Sequence, residues 1–593
     1  MFRKLLLLFL FVLSASPAVY GTTFYVDSTN GNDANAGNSP SSPWKTLTRL
    51  ASSKFMPGDI ILLRRGSVWR EQLNFPSSGS AAAPIVIDAY GTGDLPAISG
   101  ADLVPADSWT ACDICKSHVW QAKVATKANV VIFDGTKGNK KSSLSELSNP
   151  GDWFWDSDSL YVFSSDKPSN GYQHPGIESG ARLSGLNLTG ISNVTVKNIA
   201  VSGANAIPYG EGAGIWAITV HLEGPTPDSL RISHVTVTNG AGDGIHIENA
   251  NHCSVDSVLV NDNDGAGVEL YHSNGKFPVT SGSITNNEIH HNGFNGIFVV
   301  GCPRAERCRS VVYPDGLVVT GVQITGNRVH DNGAGIYLHE TNESLISGNV
   351  AFANTNTTRK GEGYCVGLSG SSSNIVERNN CYKARLSGIE LSIDTGTPPF
   401  GSSENVLRYN VVHDDGTHGI FTNYVPSQHN QIHHNLIYNH PNGACIMGNY
   451  IRHEIDSNTC YNSRIGIHLY VSSTTRQTGN MAIKNNIIVK SSLYQVFIEP
   501  GVDGPFDFSD NDYYPDGPAA FNWKGARFNF SAWQKEAGQD NHSVAADPAF
   551  VVPVPSQPFD FVLRPGSPAI GKGADLRSDK DAPPLTSVSG RRE

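Results

Sequence analysis

The segments ITNNEIHHNGFNGIFVV (residues 284–300) and ITGNRVHDNGAGIYLHE (residues 324–340) carry one pattern at the same offsets. Each has an apolar residue, two others, Asn, a short apolar strand, a turn, and then Gly followed by alternating apolar positions. The same unit recurs at residues 376–392, 407–423 and 455–470. Repetition of one short unit along the chain is typical of a solenoid, in which each unit stacks on the unit before it.

Glycines that open successive strands anchor the repeat, and its shortest steps are 23 residues, as from Gly244 to Gly267. The anchors are Gly244, Gly267, Gly296, Gly335, Gly363, Gly388, Gly419, Gly443 and Gly466. Residues one and three positions after each glycine are mostly apolar, so they are expected to face a core, and the residues between them face outward. The sequence therefore predicts an all-β fold, a right-handed single-stranded parallel β-helix with a small inserted β subdomain.

One asparagine recurs at the same place in the unit. The positions are Asn287, Asn327, Asn349, Asn379, Asn410, Asn435, Asn458 and Asn486. Stacked turns would align them in a column, where each buried amide bonds to neighbouring turns, and we interpret that column as structural. Cys381 and Cys460 fall in an inward row and are interpreted as small buried apolar residues.

The rest of the chain divides around the repeat. At the N-terminus, Arg3 and Lys4 precede an unbroken apolar run and several small residues, which predicts a secretory signal and a secreted protein, extracellular or periplasmic. The expected parts are a signal peptide (1–21), an N-terminal cap with the first turns (22–104), the inserted β subdomain (105–180), the β-helix core (181–510) and a C-terminal capping segment (511–593).

Composition excludes some classes of partner. The formal net charge is -11, so the basic excess of a nucleic-acid-binding protein is missing. No second apolar stretch reaches spanning length, so we expect no membrane span, and we expect a monomer.

Among nine cysteines, Cys112 and Cys115 favour a local disulfide or free thiols over a metal site, and Cys302 and Cys308 are a further candidate pair.

Three further stretches resemble a known group. GDIILLRRG (58–66), PIVIDAYGTG (84–93) and the ending DPAF…RPGSPAIGKG (547–573) are similar to the secreted parallel β-helix carbohydrate-active enzymes, which include glycoside hydrolases, pectate and alginate lyases and uronan epimerases. The resemblance covers nearly the whole mature chain and implies a polysaccharide or oligosaccharide substrate. In β-helix glycosidases a segment similar to residues 335–354 carries two consecutive Asp, and His339 and Glu340 stand there in this chain.

Two outward rows beside the core would form one face of the solenoid. Two residues after each glycine stand His246, Glu269, Phe298, Tyr337, Cys365, Glu390, Phe421, Cys445 and His468. Four residues after stand Glu248, Tyr271, Val300, His339, Gly367, Ser392, Asn423, Met447 and Tyr470. Aromatic rings stack on sugars, while carboxylates and imidazoles transfer protons, so this face is predicted to be a glycan-binding groove.

Glycosidic hydrolysis commonly uses two carboxyl groups on either side of the scissile bond. The catalytic candidates are Glu340, Glu390, Asp394, His339, Glu269 and Glu362, and the first expectation is Glu340 with Asp394 or Glu390. The substrate-binding candidates are Tyr337, Phe298, Tyr271, His246, Glu248, Phe421, Asn423 and His418.

Three functions stay open at this point. Neither outward row contains Lys or Arg to neutralise a uronate, which favours hydrolysis of a neutral or weakly charged glycan. The alternatives are a polysaccharide lyase or uronan epimerase, and a glycan-binding surface protein without catalysis. No metal site and no cofactor are predicted, with calcium left open.

Overall fold

The protein is a stack of short turns, each built from three β-strands in most of the chain. A computed structural model describes residues 21–207, 211–218, 229–272, 279–301, 319–355, 363–393, 401–423, 427–449, 452–471 and 480–574. Equivalent strands of successive turns pair in parallel, so residues distant in sequence become neighbours on one sheet. The predicted parallel β-helix with an inserted β subdomain is confirmed.

The first sheet contains 15 strands in one parallel ladder. They are Thr23–Val26, Ile60–Arg64, Ile85–Tyr90, Val194–Lys197, Leu230–Ser233, Ser254–Asp256, Ser283–Thr285, Gln323–Thr325, Leu345–Ser347, Ile375–Glu377, Val406–Arg408, Gln431–His433, Glu454–Asp456, Met481–Lys484 and Phe506–Ser509. Alternate residues of these strands are buried, which is the period of two that a half-exposed sheet requires.

The second and third sheets follow the first in each turn. The second sheet contains Val68–Trp69, Ala97–Ser99, Ala200–Ser202, Thr236–Thr238, Leu259–Asn261, Glu288–His290, Arg328–His330, Val350–Phe352, Asn380–Tyr382, Val411–His413, Ile487–Val489 and Asp512–Tyr514. The third contains Leu73–Asn74, Leu186–Asn187, Ala213–Ile218, Asp243–Glu248, Val268–Tyr271, Asn295–Val300, Ala334–His339, Val366–Ser369, Ile389–Ser392, Ile420–Thr422, Tyr494–Ile498 and Phe521–Trp523. Two long strands, Leu436–Asn449 and Thr459–Tyr470, run through both sheets.

Hydrogen-bonded side chains line the corners of the stack. The predicted asparagine column is confirmed: Nδ2 of each residue donates to Oδ1 of the next, at 2.9 Å from Asn287 to Asn327 and 3.0 Å from Asn379 to Asn410. Sequence reasoning found only this column. A second column contains Asn263, Asn292, Asn332 and Asn354, and a third contains Asn374, Asn405 and Asn430.

The corner before the first column needs left-handed backbone. Asn286, Tyr409 and Ser457, each just before a column asparagine, have φ of 56°, 56° and 56°. A non-glycine residue in this region costs roughly 1–2 kcal/mol. The amide ladder provides buried hydrogen bonds at the same corner, and those bonds offset the cost.

Two turns depart from the expected register. After Gly363 and Gly443, the first inward residue that aligns with the neighbouring strands comes two positions later than predicted. Val366 pairs with Ile336, and Ile446 pairs with Ile420. Cys365 and Cys445, expected to face outward, are therefore buried, and Gly367 and Met447 take their places. Cys445 is disulfide-bonded to Cys460, so the interpretation of Cys460 as a small apolar residue was wrong.

Residues 101–180 leave the stack and form two small sheets in which all strand pairs but one are antiparallel. Their strands are Ala101–Leu103, Thr110–Ala111, Val119–Lys123, Val131–Phe133, Thr136–Lys137, Asn139–Lys140, Asp152–Asp156, Ser159–Phe163 and Ile177–Gly180. Trp109, Trp153 and Leu160 belong to a separate small core there. The local disulfide between Cys112 and Cys115 is present, whereas Cys302 and Cys308 lie outside the described residues.

The helices of the described residues are short and lie near the ends of the β-helix or in the inserted subdomain. The α-helices are Leu47–Ala51, Pro168–Gly171 and Phe530–Ala537, and short 3-10 helices are Ala106–Ser108, Leu144–Glu146 and Pro558–Phe561. Ala526–Phe528 pairs antiparallel with Phe521–Trp523, and Trp533 of the last helix is fully buried against the final turns. Across the described ranges, no helix is both long and apolar enough to cross a membrane.

Candidate active site

The outer face of the third sheet carries a row of aligned residues, one from each turn. Strand register places Trp216 beside His246, His246 beside Glu269, and Glu269 beside Phe298. The row then continues through Tyr337, Gly367, Glu390, Phe421, Met447, His468 and Phe497. Chemistry-bearing residues from many turns thus share one wall, spaced about 4.8 Å apart from strand to strand.

A cluster around His246 brings together four charged groups on this wall. Nδ1 of His246 lies 3.2 Å from Oδ2 of Asp243 and 3.0 Å from Oε2 of Glu269. Its Nε2 lies 3.4 Å from Oε2 of Glu248. The backbone N–H of Ala266 donates to Oδ1 of Asp243 at 2.7 Å and holds that carboxylate in place. We call Asp243, His246, Glu248 and Glu269 the His246 cluster.

The pKa values of the two carboxyl groups on Nδ1 move in opposite directions. Burial, together with the negative charge of Asp243, raises the pKa of Glu269 to about 8. Burial would also raise the pKa of Asp243, but hydrogen bonds from His246 and Glu269 outweigh it and lower that pKa. Glu269 is therefore protonated at neutral pH while Asp243 is ionised, the separation that assigns acid and base roles in many active sites.

His246 is held as a cation between these acids. Burial alone would lower its pKa, but hydrogen bonds to Asp243, Glu248 and Glu269 raise that pKa well above its ordinary value. An imidazolium has two N–H donors and no acceptor, so it donates to acids on both sides. The cluster thus places three carboxyl groups within hydrogen-bonding distance of one imidazolium.

Aromatic rings flank the cluster. The Trp216 indole stacks on the His246 imidazole with ring centroids 4.4 Å apart and 22° between the planes. Tyr271 lies 6.2 Å away, measured between ring centroids. Beyond Trp216, the amide of Asn187 donates to Asn74 at 3.1 Å, so a polar amide surface continues the wall toward the N-terminal turns.

The central turns of the wall are mainly aromatic. Phe298 and Tyr337 stack with centroids 5.4 Å apart and planes inclined by 10°. Tyr364 packs beside Tyr337 at 5.8 Å. A Cβ added to Gly367 would meet Tyr364 at 2.5 Å and Tyr337 at 2.9 Å, so only glycine leaves room for both rings. Glu390 lies on the next turn after Gly367, on the C-terminal side of this aromatic patch.

The sequence matches the protein-family model of the right-handed β-helix region at residues 153–306 and 279–459, which together span more than half of the chain. The chain belongs to the right-handed β-helix family. The predicted resemblance is confirmed at this level, and it includes the handedness of the stack.

Individual relatives of this β-helix are similar over very different lengths. The lacto-N-biosidase of Bifidobacterium longum subsp. longum is 45% identical over 85 residues, which are 14% of this chain and 5% of that protein. The structure of XylC with xylose has a TM-score of 0.51 at 14% identity, covering 89% of this chain and 87% of XylC. A lacto-N-biosidase from Eubacterium ramulus has a TM-score of 0.38 at 14% identity, covering 76% of this chain and 68% of that chain.

Glu340 and His339 occupy the end of one strand of the β-helix. Glu340 follows Ala334–His339 with φ of 50°, and its side chain is buried. Oε2 of Glu340 lies 3.8 Å from Nδ1 of His339. Their backbone groups bond to adjacent turns, since Gly301 donates to the carbonyl of His339 at 2.7 Å and Glu340 donates to that of Ser369 at 2.8 Å.

Glu390 belongs to a polar chain farther along the wall. Nδ2 of Asn423 donates to Oε1 of Glu390 at 3.5 Å, and the Tyr470 hydroxyl donates to Oδ1 of Asn423 at 3.0 Å. The ring of Phe421 lies 5.1 Å from that of His418. Nδ1 of His418 accepts from the backbone N–H of Ala444 at 2.9 Å, and burial lowers the pKa of His418 to about 4.

The structure brings together only some of the expected catalytic residues. Glu269, His246 and Glu248 share one cluster, with Tyr271 beside it. Glu340 and Glu390 lie two turns apart, about 10 Å along the axis, and Glu340 is also beyond the end of its strand. Asp394 and Glu362 lie outside the described residues, so the pairing of Glu340 with Asp394 and the catalytic role of Glu362 stay predictions.

Sequence reasoning missed Asp243 and Trp216. Asp243 stands immediately before an anchoring glycine, a position treated as part of the turn. The residues before the neighbouring anchors, Ala266, Asn295 and Ala334, carry no charge, so a carboxylate there was a readable signal. Trp216 precedes the first recognised anchor, and only the register of Ala213–Ile218 with Asp243–Glu248 shows that it joins the wall.

The His246 cluster also has a donor set that suits a metal ion. One ligand atom each from Asp243, His246 and Glu269 lies within 4.8 Å of the others. A metal would require His246 and Glu269 to lose their protons, because only the deprotonated forms bind metals. An imidazole ligand suits a transition metal better than calcium, which prefers oxygen ligands.

Proposed function

We propose that this protein is a secreted carbohydrate-active enzyme that hydrolyses glycosidic bonds of a neutral polysaccharide or oligosaccharide. The observation that carries the proposal is the pair of carboxyl groups, Glu269 and Asp243, that contact Nδ1 of His246 on the outer wall of the β-helix. Burial and the charge of Asp243 raise the pKa of Glu269 to about 8, as a general acid requires. Glycoside hydrolysis needs a carboxylic acid that is protonated at working pH to donate to the leaving oxygen.

Glu269 is the general acid in this scheme. The charge of Asp243 keeps the Glu269 proton in place until the leaving group accepts it. Asp243 is in turn fixed by the Ala266 N–H and by His246, so it acts as a positioning residue for Glu269. His246 holds both acids at the required separation through its Nδ1.

Glu248 is the second carboxyl group. It contacts the opposite nitrogen of the same imidazole, so one ring width and two hydrogen bonds separate it from Glu269. The imidazole ring therefore lies between the two carboxyl groups, so that one can protonate the leaving oxygen while the other acts on a water. Glu248 would then activate a water on the opposite side of the sugar from Glu269.

A neutral glycan fits the charges of the wall. Within the described part of the chain, neither Asp243 nor Glu269 forms an ion pair with Lys or Arg. A uronate carboxylate would meet like charges there, which disfavours the lyase and epimerase alternatives. Trp216 and Tyr271 provide rings for sugar stacking, and Asn187 with Asn74 provides amides for hydroxyl groups.

The relatives support the same class of reaction at different strengths. A stretch of 85 residues is 45% identical to a lacto-N-biosidase, whose name describes a glycosidase. XylC, whose structure was determined with xylose, shares the fold over most of both chains. These relatives suggest lacto-N-type oligosaccharides and xylo-oligosaccharides as the first substrates to test, beside plant and algal polysaccharides.

The test is a substrate screen with two readouts. Purified full-length protein is incubated with these glycans, and new reducing ends and ultraviolet absorbance are followed in parallel. We expect new reducing ends without absorbance, and a loss of turnover of about 10²–10⁴-fold in Glu269→Gln. Glu288→Gln, on the outer face of the second sheet, is the matched control and should retain full turnover.

Other outcomes would separate the alternatives. An unsaturated product absorbing in the ultraviolet would identify a lyase instead of a hydrolase. Full activity in Glu269→Gln together with loss in Glu340→Gln or Glu390→Gln would move the active site to the central turns. Binding of a glycan without any product would identify the non-enzymatic class.

A further inference from the structure

Two cysteine pairs stand in matching segments of the chain. The first is G-Y-C-V at 363–366 with N-N-C-Y at 379–382, and the second is G-A-C-I at 443–446 with N-T-C-Y at 458–461. The second pair, Cys445 and Cys460, is a disulfide with a Cα–Cα distance of 5.8 Å. The first pair, Cys365 and Cys381, is present as two buried thiols.

Both pairs occupy the same place in the β-helix. Cys365 aligns with Gly335 and Gly388, because the following residue Val366 pairs with Ile336 and Ile389. In the same way Cys445 replaces an anchoring glycine, since Ile446 pairs with Ile420 and Ile467. Each of the two cysteines therefore stands where other turns have Gly.

The partner cysteines are equivalent as well. Cys381 and Cys460 lie in the inward row of the second sheet, aligned with Val412 and Ile437 respectively. In ordinary turns an anchoring glycine faces the apolar residue of the next turn in this row. A Cβ on Gly388 would meet Val412 at 2.2 Å, and a Cβ on Gly419 would meet Ile437 at 2.3 Å.

In ordinary turns the two residues at this contact are therefore a glycine and a branched apolar residue. At two places along the β-helix they are two cysteines. One Cys–Cys contact is already covalent. At the other, both residues are fully buried, and the Cys365 thiol contacts that of Cys381 as well as the carbonyl oxygen of Ala351 at 2.9 Å. In-register turns give equivalent positions equivalent spacing, and 5.8 Å lies within the range that a disulfide spans.

We propose that Cys365 and Cys381 form a second disulfide within the core of this protein as it folds in an oxidising compartment. In the reaction the two thiols lose two protons and two electrons, an S–S bond forms, and a protein disulfide or oxidised glutathione is reduced to two thiols. The oxidant acts before the turn closes, because the native Cys365 thiol is buried and burial raises its pKa well above the ordinary value.

The bond would fix the turn that shapes the centre of the wall. Tyr364, immediately before Cys365, packs on Tyr337, and Gly367 lies two residues after Cys365 beneath both rings. A cross-link from Cys365 to the next turn would hold this register against slippage by two residues. The inference depends on the repeat geometry and not on the proposed enzymatic reaction.

Peptide mapping of the full-length protein tests the bond. Protein exported to an oxidising compartment is denatured in N-ethylmaleimide without reductant and digested. The expected result is a cross-linked peptide pair containing Cys365 and Cys381, with Cys253 alkylated as the internal control for a buried thiol. Alkylation of both Cys365 and Cys381, while Cys445 and Cys460 stay linked, would overturn the proposal.

A matched variant provides the second measurement. Cys365→Gly with Cys381→Val recreates the Gly388–Val412 contact of the neighbouring turn and should fold. Reductant should lower the thermal midpoint of the native protein more than that of this variant, by a difference of about 2–3 °C. Equal decreases in the two proteins would contradict a Cys365–Cys381 bond.

Discussion

The outer faces of the second and third sheets both carry columns of rings, but the columns differ in geometry. On the second sheet, His290, His330, Phe352, Tyr382, His413 and Tyr438 stack at centroid distances of 5.0, 4.6, 4.8, 5.0 and 4.7 Å, with planes inclined by no more than 14°. Each ring covers the face of its neighbour. Such continuous stacking stabilises the β-helix.

The third-sheet row is interrupted where the second-sheet column is continuous. Acids enter it at Glu269 and Glu390, and Gly367 leaves a gap that two tyrosine rings fill. On the second sheet the acidic neighbour Glu288 is paired with Arg328 and His330 at the surface. The same repeat thus builds a stabilising ladder on one face and an unevenly charged wall on another.

The largest effect is expected at the second carboxyl group of the wall. Glu248→Ala should lower turnover by about 10²–10⁴-fold, because the water attacking the sugar would lose its base. Azide, which needs no base, should restore part of that activity and yield a glycosyl azide. Activity within twofold of the native enzyme would show that Glu248 is not part of the reaction.

The rings of the two faces should differ in their effect on substrate binding. Trp216→Ala should raise KM about tenfold, equivalent to about 1.4 kcal/mol of lost stacking, whereas Tyr382→Ala on the second sheet should leave KM unchanged. Steady-state kinetics on the best substrate of the screen provides the comparison. Equal KM changes in the two variants would remove the distinction between the faces.

The pH profile tests the role of Asp243. Activity of the native enzyme should fall as pH rises through about 8, where Glu269 loses its proton. Asp243→Asn removes a negative charge that raises the Glu269 pKa, so the alkaline limb should move to lower pH. Asp264→Asn, an exposed acid paired with Lys137, is the control and should leave the limb in place.

A smaller effect, on protein stability and not on turnover, is expected from a buried carboxyl group in the interior of the β-helix. Asp415 is fully buried and lies 3.2 Å from His440, and burial raises the Asp415 pKa well above its usual value. The native carboxyl binds its proton more tightly than the unfolded one, so its contribution to stability is lost as pH rises from about 4. Asp415→Asn should gain stability relative to the native protein with rising pH, by about 1–2 kcal/mol.

Chemical unfolding at acid and alkaline pH checks this expectation. At acid pH, where Asp415 is neutral in both states, the two proteins should unfold at nearly the same denaturant concentration. At alkaline pH the Asn variant should unfold at a higher concentration. Turnover should be the same in both proteins, since Asp415 lies below the wall and not on it.

Much of the fold could be predicted because stacking repeats one set of constraints. Anchors such as Gly296 and Gly335 mark positions where a Cβ would collide with the next turn, so their spacing gives the strand register directly. The prediction failed at Gly363 and Gly443, because cysteines occupy the glycine position there and shift the alignment by two residues. A local pattern cannot show that two sulfur atoms replace a glycine and a valine.

The site was less accessible to sequence reasoning. The outward row correctly placed His246, Glu248 and Glu269 on one face, because period-two alternation fixes which side chains point outward. The row could not show which acid has a raised pKa, since that depends on distances and burial around His246. Asp243 escaped because its carboxylate enters the wall from the turn before the strand, where periodicity gives no direction.

The central claim is that Glu269 on the third-sheet wall is protonated at neutral pH. The most direct measurement is a ¹³C NMR pH titration of protein labelled at glutamate side-chain carboxyl carbons, with Glu269→Gln identifying the resonance. The account predicts one carboxyl that titrates near pH 8 in the native protein and is missing from the variant. If every glutamate in both proteins titrated below about pH 6, close to the usual range, the account would be wrong.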